Sequence, residues 1–173
     1  LKAPVVQISG GEPLLRKDVI EIIKAIKQNG GNPYIILVSN GVLLNKDNYL
    51  QLREAGVNQF SVSLDFPDER HDDFRRHPGL YKHLEQTIPK IADFGYKDVI
   101  LNTAITSANL PDLIAIAKKA EEWKVSVSYS AYTALRTGDK NYSLRGDNSL
   151  NLPVSYTHLR AHETPEHLVC RLL

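Results

Sequence analysis

The strongest constraint on the fold of this chain is a regular alternation of short β-branched segments with longer segments of helical periodicity. Strands are predicted over residues 5–9, 34–38, 59–64, 99–106 and 125–132, with a helical segment between each pair. Repeated strand–helix units predict a parallel sheet, because each helix returns the chain to the same edge through a right-handed crossover. The pattern alone does not distinguish a barrel from an open, doubly wound sheet.

Three of the four predicted helices are followed directly by a glycine. The four are expected from residue 19 to about 29, over 46–55, over 80–94 and over 110–123. Gly56 and Gly95 stand where a helix-terminating glycine is common. Pro89 lies inside the third helix and predicts a kink or an early break, since proline removes a backbone hydrogen bond. From Arg136 onward, Gly, Asp, Asn and Ser predict a loop.

One segment at the end of the first strand carries the clearest chemical signal. Residues 9–16 read Ser-Gly-Gly-Glu-Pro-Leu-Leu-Arg. Two glycines allow a tight turn and a close approach of a ligand to the backbone. The carboxylate of Glu12 and the carbonyls of the strand end suit an ammonium group and not a phosphate, and a Gly-Lys-Ser/Thr ending typical of a P-loop is missing.

Similar polar segments end the next two strands. Residues 38–41 read Val-Ser-Asn-Gly, and residues 61–65 read Ser-Val-Ser-Leu-Asp, followed by His71 and Arg75. Together with the Gly-Gly-Glu-Pro segment, these motifs resemble the radical S-adenosylmethionine (SAM) superfamily over roughly residues 4–137. The resemblance is greatest to the branch with the molybdopterin-pathway GTP cyclase and the peptide-modifying, SPASM-type maturases. It implies an α/β fold, a partial (β/α) TIM-like barrel of parallel strands that lacks the first strand and the cluster loop.

The resemblance also implies a set of residues that bind SAM. In that family the Gly-Gly-Glu-Pro segment holds the amino group, and Ser63 and Arg75 would contact the cofactor, with the Arg75 guanidinium on the carboxylate. Asn102 would face the adenosine. The complete set implied is Gly10, Gly11, Glu12, Pro13, Ser39, Asn40, Ser63, Asp65, Arg75 and Asn102.

Simpler interpretations of these residues remain open at this stage. Ser39 and Asn40 are also typical turn residues before a glycine. Asp65 is as consistent with a helix cap or turn residue as with ligand contact, and its carboxylate could also orient Ser63 or Arg75. Arg75 alone would be a solvated charge. His71 is interpreted as a structural hydrogen-bonding group and not as a base.

The chain has one cysteine, Cys170, although the family holds a 4Fe-4S cluster with three cysteines spaced Cys-x3-Cys-x2-Cys. The cluster loop is therefore expected upstream of Leu1. The resemblance implies a fragment of an enzyme that reductively cleaves SAM to a 5′-deoxyadenosyl radical, with an unknown small molecule or peptide as substrate. It also implies an electron donor such as flavodoxin or ferredoxin, and a cytoplasmic location. The alternative is a βα domain that binds a small ligand without radical chemistry.

Charge and hydropathy give no reason to expect nucleic acid or a membrane as a partner. The formal net charge is +1, which provides no electrostatic basis for binding nucleic acid or an anionic membrane. No apolar segment has the length that spans a bilayer.

The last 20 residues resemble a translated sequencing adapter. Residues 154–173 include His158, His162, His167 and Cys170, and they match the adapter on both sides of Pro165-Glu166. Residues 1–153 are therefore interpreted as the domain and residues 154–173 as a non-native tail that holds no metal. Neither segment is expected to supply a metal site, and no catalytic side chain is assigned.

Overall fold

The computed structural model describes residues 3–131, which form one parallel sheet with helices between the strands. The five strands are hydrogen-bonded in the order in which they occur in the chain, and every neighbouring pair is parallel. The strands are β1 (Val5–Ile8), β2 (Tyr34–Ser39), β3 (Gln59–Ser63), β4 (Val99–Ile105) and β5 (Ser126–Ala131). The helices are α1 (Val19–Asn29), α2 (Lys46–Ala55), α3 (Arg70–Arg75), α4 (Leu80–Ala92) and α5 (Leu113–Glu122).

The strand order distinguishes between the barrel and the open sheet, which the strand–helix pattern alone left undecided. When strand order equals chain order, right-handed crossovers place every helix on the same face of the sheet. The other face is then the inside of a barrel, as in (β/α) barrels. The fold is therefore a partial barrel, and the predicted parallel order of the five strands is confirmed.

The hydrophobic core lies between the helices and one face of the sheet. Alternate strand residues point into it, because successive side chains of a strand face opposite sides. The fully buried members include Ile23, Ile35, Leu37, Leu52, Phe60, Val62, Leu84, Ile88, Leu101, Ile116 and Trp123. This continuous layer fixes the strands relative to one another and thereby positions their carboxyl ends.

Several helix boundaries differ from the predicted ones for local reasons. Helix α4 continues through Pro89 to Ala92, and Gly95 follows it with a φ of +78°. The predicted early break is therefore wrong, and the structure places the helix end three residues beyond the proline. The helix predicted from residue 110 begins as a 3-10 turn at Leu110–Asp112 before α5. The short helix α3 was not predicted, since six residues give too little periodicity.

Other sequence-based expectations fall on parts of the chain beyond this description. The loop after Arg136, Cys170 and the proposed tail of residues 154–173 lie outside the described residues. Among residues 3–131, no helix is long and apolar enough to cross a membrane.

Candidate functional site

The carboxyl ends of the first strands bring the sequence-predicted polar residues to one edge of the sheet. The loop after β1 carries Glu12, β2 ends at Ser39, and β3 is followed by Asp65. This is the edge at which parallel α/β folds bind ligands. The residues are not independent of one another, because most of them are joined by hydrogen bonds.

Glu12 connects the loop after β1 to the end of β2. Its Oε1 atom accepts hydrogen bonds from the Ser39 hydroxyl at 2.9 Å and from the Leu14 N–H at 3.0 Å. Its Oε2 atom accepts the Asn40 N–H at 2.7 Å. A carboxylate offers about four acceptor positions. The three internal bonds therefore orient Glu12 and leave capacity for one further donor.

The backbone beside Glu12 is open to a ligand. Gly10 has a φ of +124°, a conformation that side-chain-bearing residues rarely adopt. A Cβ atom at Gly10 or Gly11 would meet no atom within 4 Å, and both residues are exposed. Pro13, by contrast, is buried and begins a 3-10 turn that Glu12 caps. The glycine backbone is therefore the accessible part of this motif.

Ser39 and Asn40 perform the turn role that the sequence left open. The Ser39 hydroxyl accepts the Gly41 N–H at 3.0 Å, and the Asn40 side-chain oxygen accepts the Val42 N–H at 2.9 Å. Ser39 is buried, and its hydroxyl donates to Glu12 while it accepts from the turn backbone. These hydrogen bonds hold Glu12 and the turn after β2 in place.

Asp65 and Arg75 form a partly buried ion pair above the end of β3. The Arg75 Nε and Nη2 atoms lie 2.7 and 2.5 Å from Asp65 Oδ2. The second carboxylate oxygen accepts the Ala104 N–H at 3.0 Å. Asp65 is fully buried, whereas 30% of the Arg75 side chain is exposed. The carboxylate therefore orients Arg75, one of the three alternatives considered from the sequence.

The electrostatics of this pair reflect its burial. Burial raises the pKa of the Asp65 carboxyl, and the Arg75 charge and the Ala104 N–H partly oppose that increase. No described residue accepts a hydrogen bond from Arg75 Nη1. One side of the guanidinium is thus held by Asp65, and the donors on the other side have the geometry to bind a carboxylate.

Three further side chains, which the sequence did not assign to the site, hold the backbone at Leu64 and Asp65. His71 Nδ1 accepts the Asp65 N–H at 3.2 Å. The Asn109 amide donates to the Asp65 carbonyl at 2.9 Å, and the Thr103 hydroxyl donates to the Leu64 carbonyl at 2.6 Å. His71 thus has the structural hydrogen bond expected of it. Asn109 and Thr103 had no distinguishing sequence signal, since their partners lie about 40 residues away.

Polar side chains form a row across the inner face of the sheet. Ser63 is in register with Asn102, and Asn102 is in register with Ser128. Residues in register on neighbouring strands point to the same face. Asn102 lies in the middle of β4 and not at its end. Ser128 was not predicted to belong to this row, because its position beside Asn102 follows only from the strand register.

The described residues do not offer the ligands of an iron–sulfur cluster. Cys170 is the only cysteine of the chain and lies outside residues 3–131. Within those residues, no group of three His, Cys, Asp or Glu side chains could hold a metal ion. The donors and acceptors on the sheet edge suit an organic ligand that carries both an ammonium and a carboxylate group.

A surface cavity of about 670 Å³ lies at the opposite edge of the sheet, where the strands begin. Two of its four charged lining residues, Arg53 and Asp98, bind each other. Arg53 forms an ion pair with Asp98 and lies 3.5 Å above the Tyr96 ring, and Tyr49 donates to Asp98 at 2.6 Å. The contacts of Arg53 and Tyr49 with Asp98 therefore hold α2 against the start of β4.

Comparisons with known proteins agree with this geometry. A model of the radical SAM superfamily matches residues 1–130. The chain is 35% identical to an AdoMet-dependent heme synthase of Methanosarcina barkeri over 84% of this chain and 39% of that protein. It is 29% identical to a GTP 3′,8-cyclase of Rhodopirellula baltica over 85% of this chain and 42% of that protein.

A solved structure has the same fold. The crystal structure of Streptococcus suis SuiB bound to S-adenosylmethionine matches 77% of this chain and 31% of that chain, with a TM-score of 0.60 and 18% identity. The chain therefore spans about two-fifths or less of the length of these relatives.

Proposed function

The chain belongs to the radical SAM superfamily. We propose that the carboxyl-end edge of its sheet binds SAM in an enzyme of this superfamily. One observation carries the proposal. Asp65 holds the Arg75 guanidinium, whose Nη1 has no acceptor among residues 3–131, on the same sheet edge as the open backbone of Gly10 and Gly11. A ligand with a carboxylate and an ammonium group matches this pair of features.

Each chemical group of SAM matches a different set of these residues. Arg75 would bind the carboxylate of the methionine moiety, because a guanidinium offers forked donors. The glycine carbonyls and the free acceptor position of Glu12 would bind its ammonium group. Ser63 and Asn102, on the inner face, would bind the adenosyl part. Ser39 and Asn40 would act through Glu12, and Pro13 through the 3-10 turn.

SAM bound beside a reduced 4Fe-4S cluster supplies a 5′-deoxyadenosyl radical, and this is the chemistry proposed for the whole protein. The described residues supply no thiolate for that cluster, so no step of the reaction is assigned to them. Their role is to bind and orient the cofactor. An electron donor such as flavodoxin or ferredoxin, a small-molecule or peptide substrate and a cytoplasmic location belong to the same proposal.

Binding of SAM to the 173-residue chain tests the proposal. Equilibrium dialysis with labelled SAM is expected to show weak binding that Arg75→Ala reduces by about 1.5–3 kcal/mol, the scale of a hydrogen bond to a charged group. Arg76→Ala is the matched control, because it removes the same charge from the adjacent, exposed position. Equal effects of the two substitutions, or no dependence on Arg75, would contradict the proposal.

A further inference from the structure

His71, on the first turn of α3, is one of the fully buried polar side chains near the site. Its Nδ1 atom accepts the Asp65 N–H. Its Nε2 atom is buried without a hydrogen-bond partner among residues 3–131. An unpaired buried donor costs about 1–3 kcal/mol. A side chain that served packing alone would be less costly if it were apolar.

The position of Nδ1 explains what the histidine contributes. The hydrogen-bond ladder between β3 and β4 ends with the Leu64 N–H, which donates to the Asn102 carbonyl. In the next residue, Asp65, the N–H donates to His71 Nδ1 and to no backbone carbonyl among residues 3–131. A ring nitrogen thus serves as the acceptor in place of a carbonyl oxygen. It therefore fixes the backbone from which the Asp65 carboxylate extends.

The protonation state of the ring agrees with this role. Burial and the nearby Arg75 charge lower the pKa of His71 to about 4, against a smaller opposing effect of Asp72. A neutral imidazole can accept at Nδ1 only when its proton is on Nε2. The unpartnered atom is therefore the N–H, and the accepting atom faces Asp65.

We propose that His71 is a positioning residue for the cofactor carboxylate: it fixes Asp65, and Asp65 in turn fixes the Arg75 guanidinium. This inference rests on the proposed function. The chain of contacts is short, since Nδ1 binds the Asp65 N–H and Asp65 Oδ2 binds Arg75 Nε at 2.7 Å. His71 itself is fully buried and does not contact the ligand.

Two substitutions of nearly equal shape separate hydrogen bonding from packing. His71→Asn places an oxygen where Nδ1 stands, so the Asp65 N–H keeps an acceptor. His71→Leu places a methyl group there and leaves that N–H unpaired. The difference between the two variants therefore reports the acceptor. If the leucine variant does not fold, His71→Gln, which displaces its polar atoms by one bond, replaces it.

Nuclear magnetic resonance of the 173-residue chain provides a measurement independent of SAM. The Arg75 Nε–H signal is expected to exchange slowly with water in the native chain and in His71→Asn, and quickly in His71→Leu. In the SAM-binding assay, His71→Leu should bind about three- to tenfold more weakly than His71→Asn, the scale of one hydrogen bond. In an Arg75→Ala background this difference should vanish, because the residue through which His71 acts is gone.

The outcomes separate this inference from the proposed function. If Arg75→Ala leaves SAM binding unchanged, the proposed function fails, and the Arg75 Nε–H signal alone then decides whether His71 fixes the guanidinium. If Arg75→Ala weakens binding but the leucine and asparagine variants do not differ, the inference about His71 is overturned. It is also overturned if their difference persists in the Arg75→Ala background, since His71 would then act on the fold in general.

Discussion

At the scale of single residues, His71 couples the stability of the domain to pH. Its pKa is about 4 in the folded chain and 6.5 when unperturbed. Between these values the unfolded state binds a proton at this position and the folded state does not, so stability falls as pH falls. The contribution is fully present above pH 6.5 and is lost progressively toward pH 4.

We therefore expect the free energy of unfolding of the native chain to decrease from pH 6.5 to pH 4 more steeply than that of His71→Asn. The extra loss would reach up to about 3 kcal/mol, the equivalent of the pKa difference. Urea denaturation at several pH values measures it. Carboxylates that titrate in this range are common to both proteins and largely cancel. Parallel pH profiles of the two proteins would show that His71 does not titrate as described.

At the scale of elements, the turn after β2 depends on a close approach to its neighbours. Gly41 has a φ of +82°, and a Cβ there would lie 2.5 Å from the Leu84 Cδ2 atom of α4 and 3.0 Å from the Val62 Cγ1 atom of β3. Both side chains belong to the core and cannot move aside freely. The turn that positions Ser39 and Asn40 thus requires glycine for both conformation and space.

Gly79 provides a control for separating these two requirements. It has the same φ of +82°, and a Cβ there would meet no atom within 4 Å. Gly79→Ala is expected to cost about 1–2 kcal/mol, the left-handed conformation alone. Gly41→Ala should cost about 1–3 kcal/mol more, because it also overpacks the core. Chemical denaturation of both variants tests this expectation, and equal losses would mean that the core adapts without cost.

At the scale of the whole molecule, the apolar core of residues 3–131 is formed by the five strands and their helices. The interpretation of residues 154–173 as adapter-derived predicts that they add nothing to it. Deleting these residues is expected to leave the melting temperature unchanged or raised, because ordering an unselected segment is not offset by burial. Thermal denaturation of the full and shortened chains measures this, and a clear loss of stability would show that the tail belongs to the protein.

The fold class and most of the polar segments at the sheet edge could be predicted from local sequence patterns. Strand periodicity and β-branched residues are local properties, so the parallel strands and the helix at Lys46–Ala55 could be predicted closely. The Gly-Gly-Glu-Pro, Ser-Asn-Gly and Ser-Leu-Asp segments are contiguous, so they could be recognised without coordinates. Which side chains in these segments contact one another could be seen only in the folded chain. The contacts that join Asp65 to Ala104 and Asn109 span about 40 residues, and their geometry depends on strand register and core packing, which no local pattern encodes.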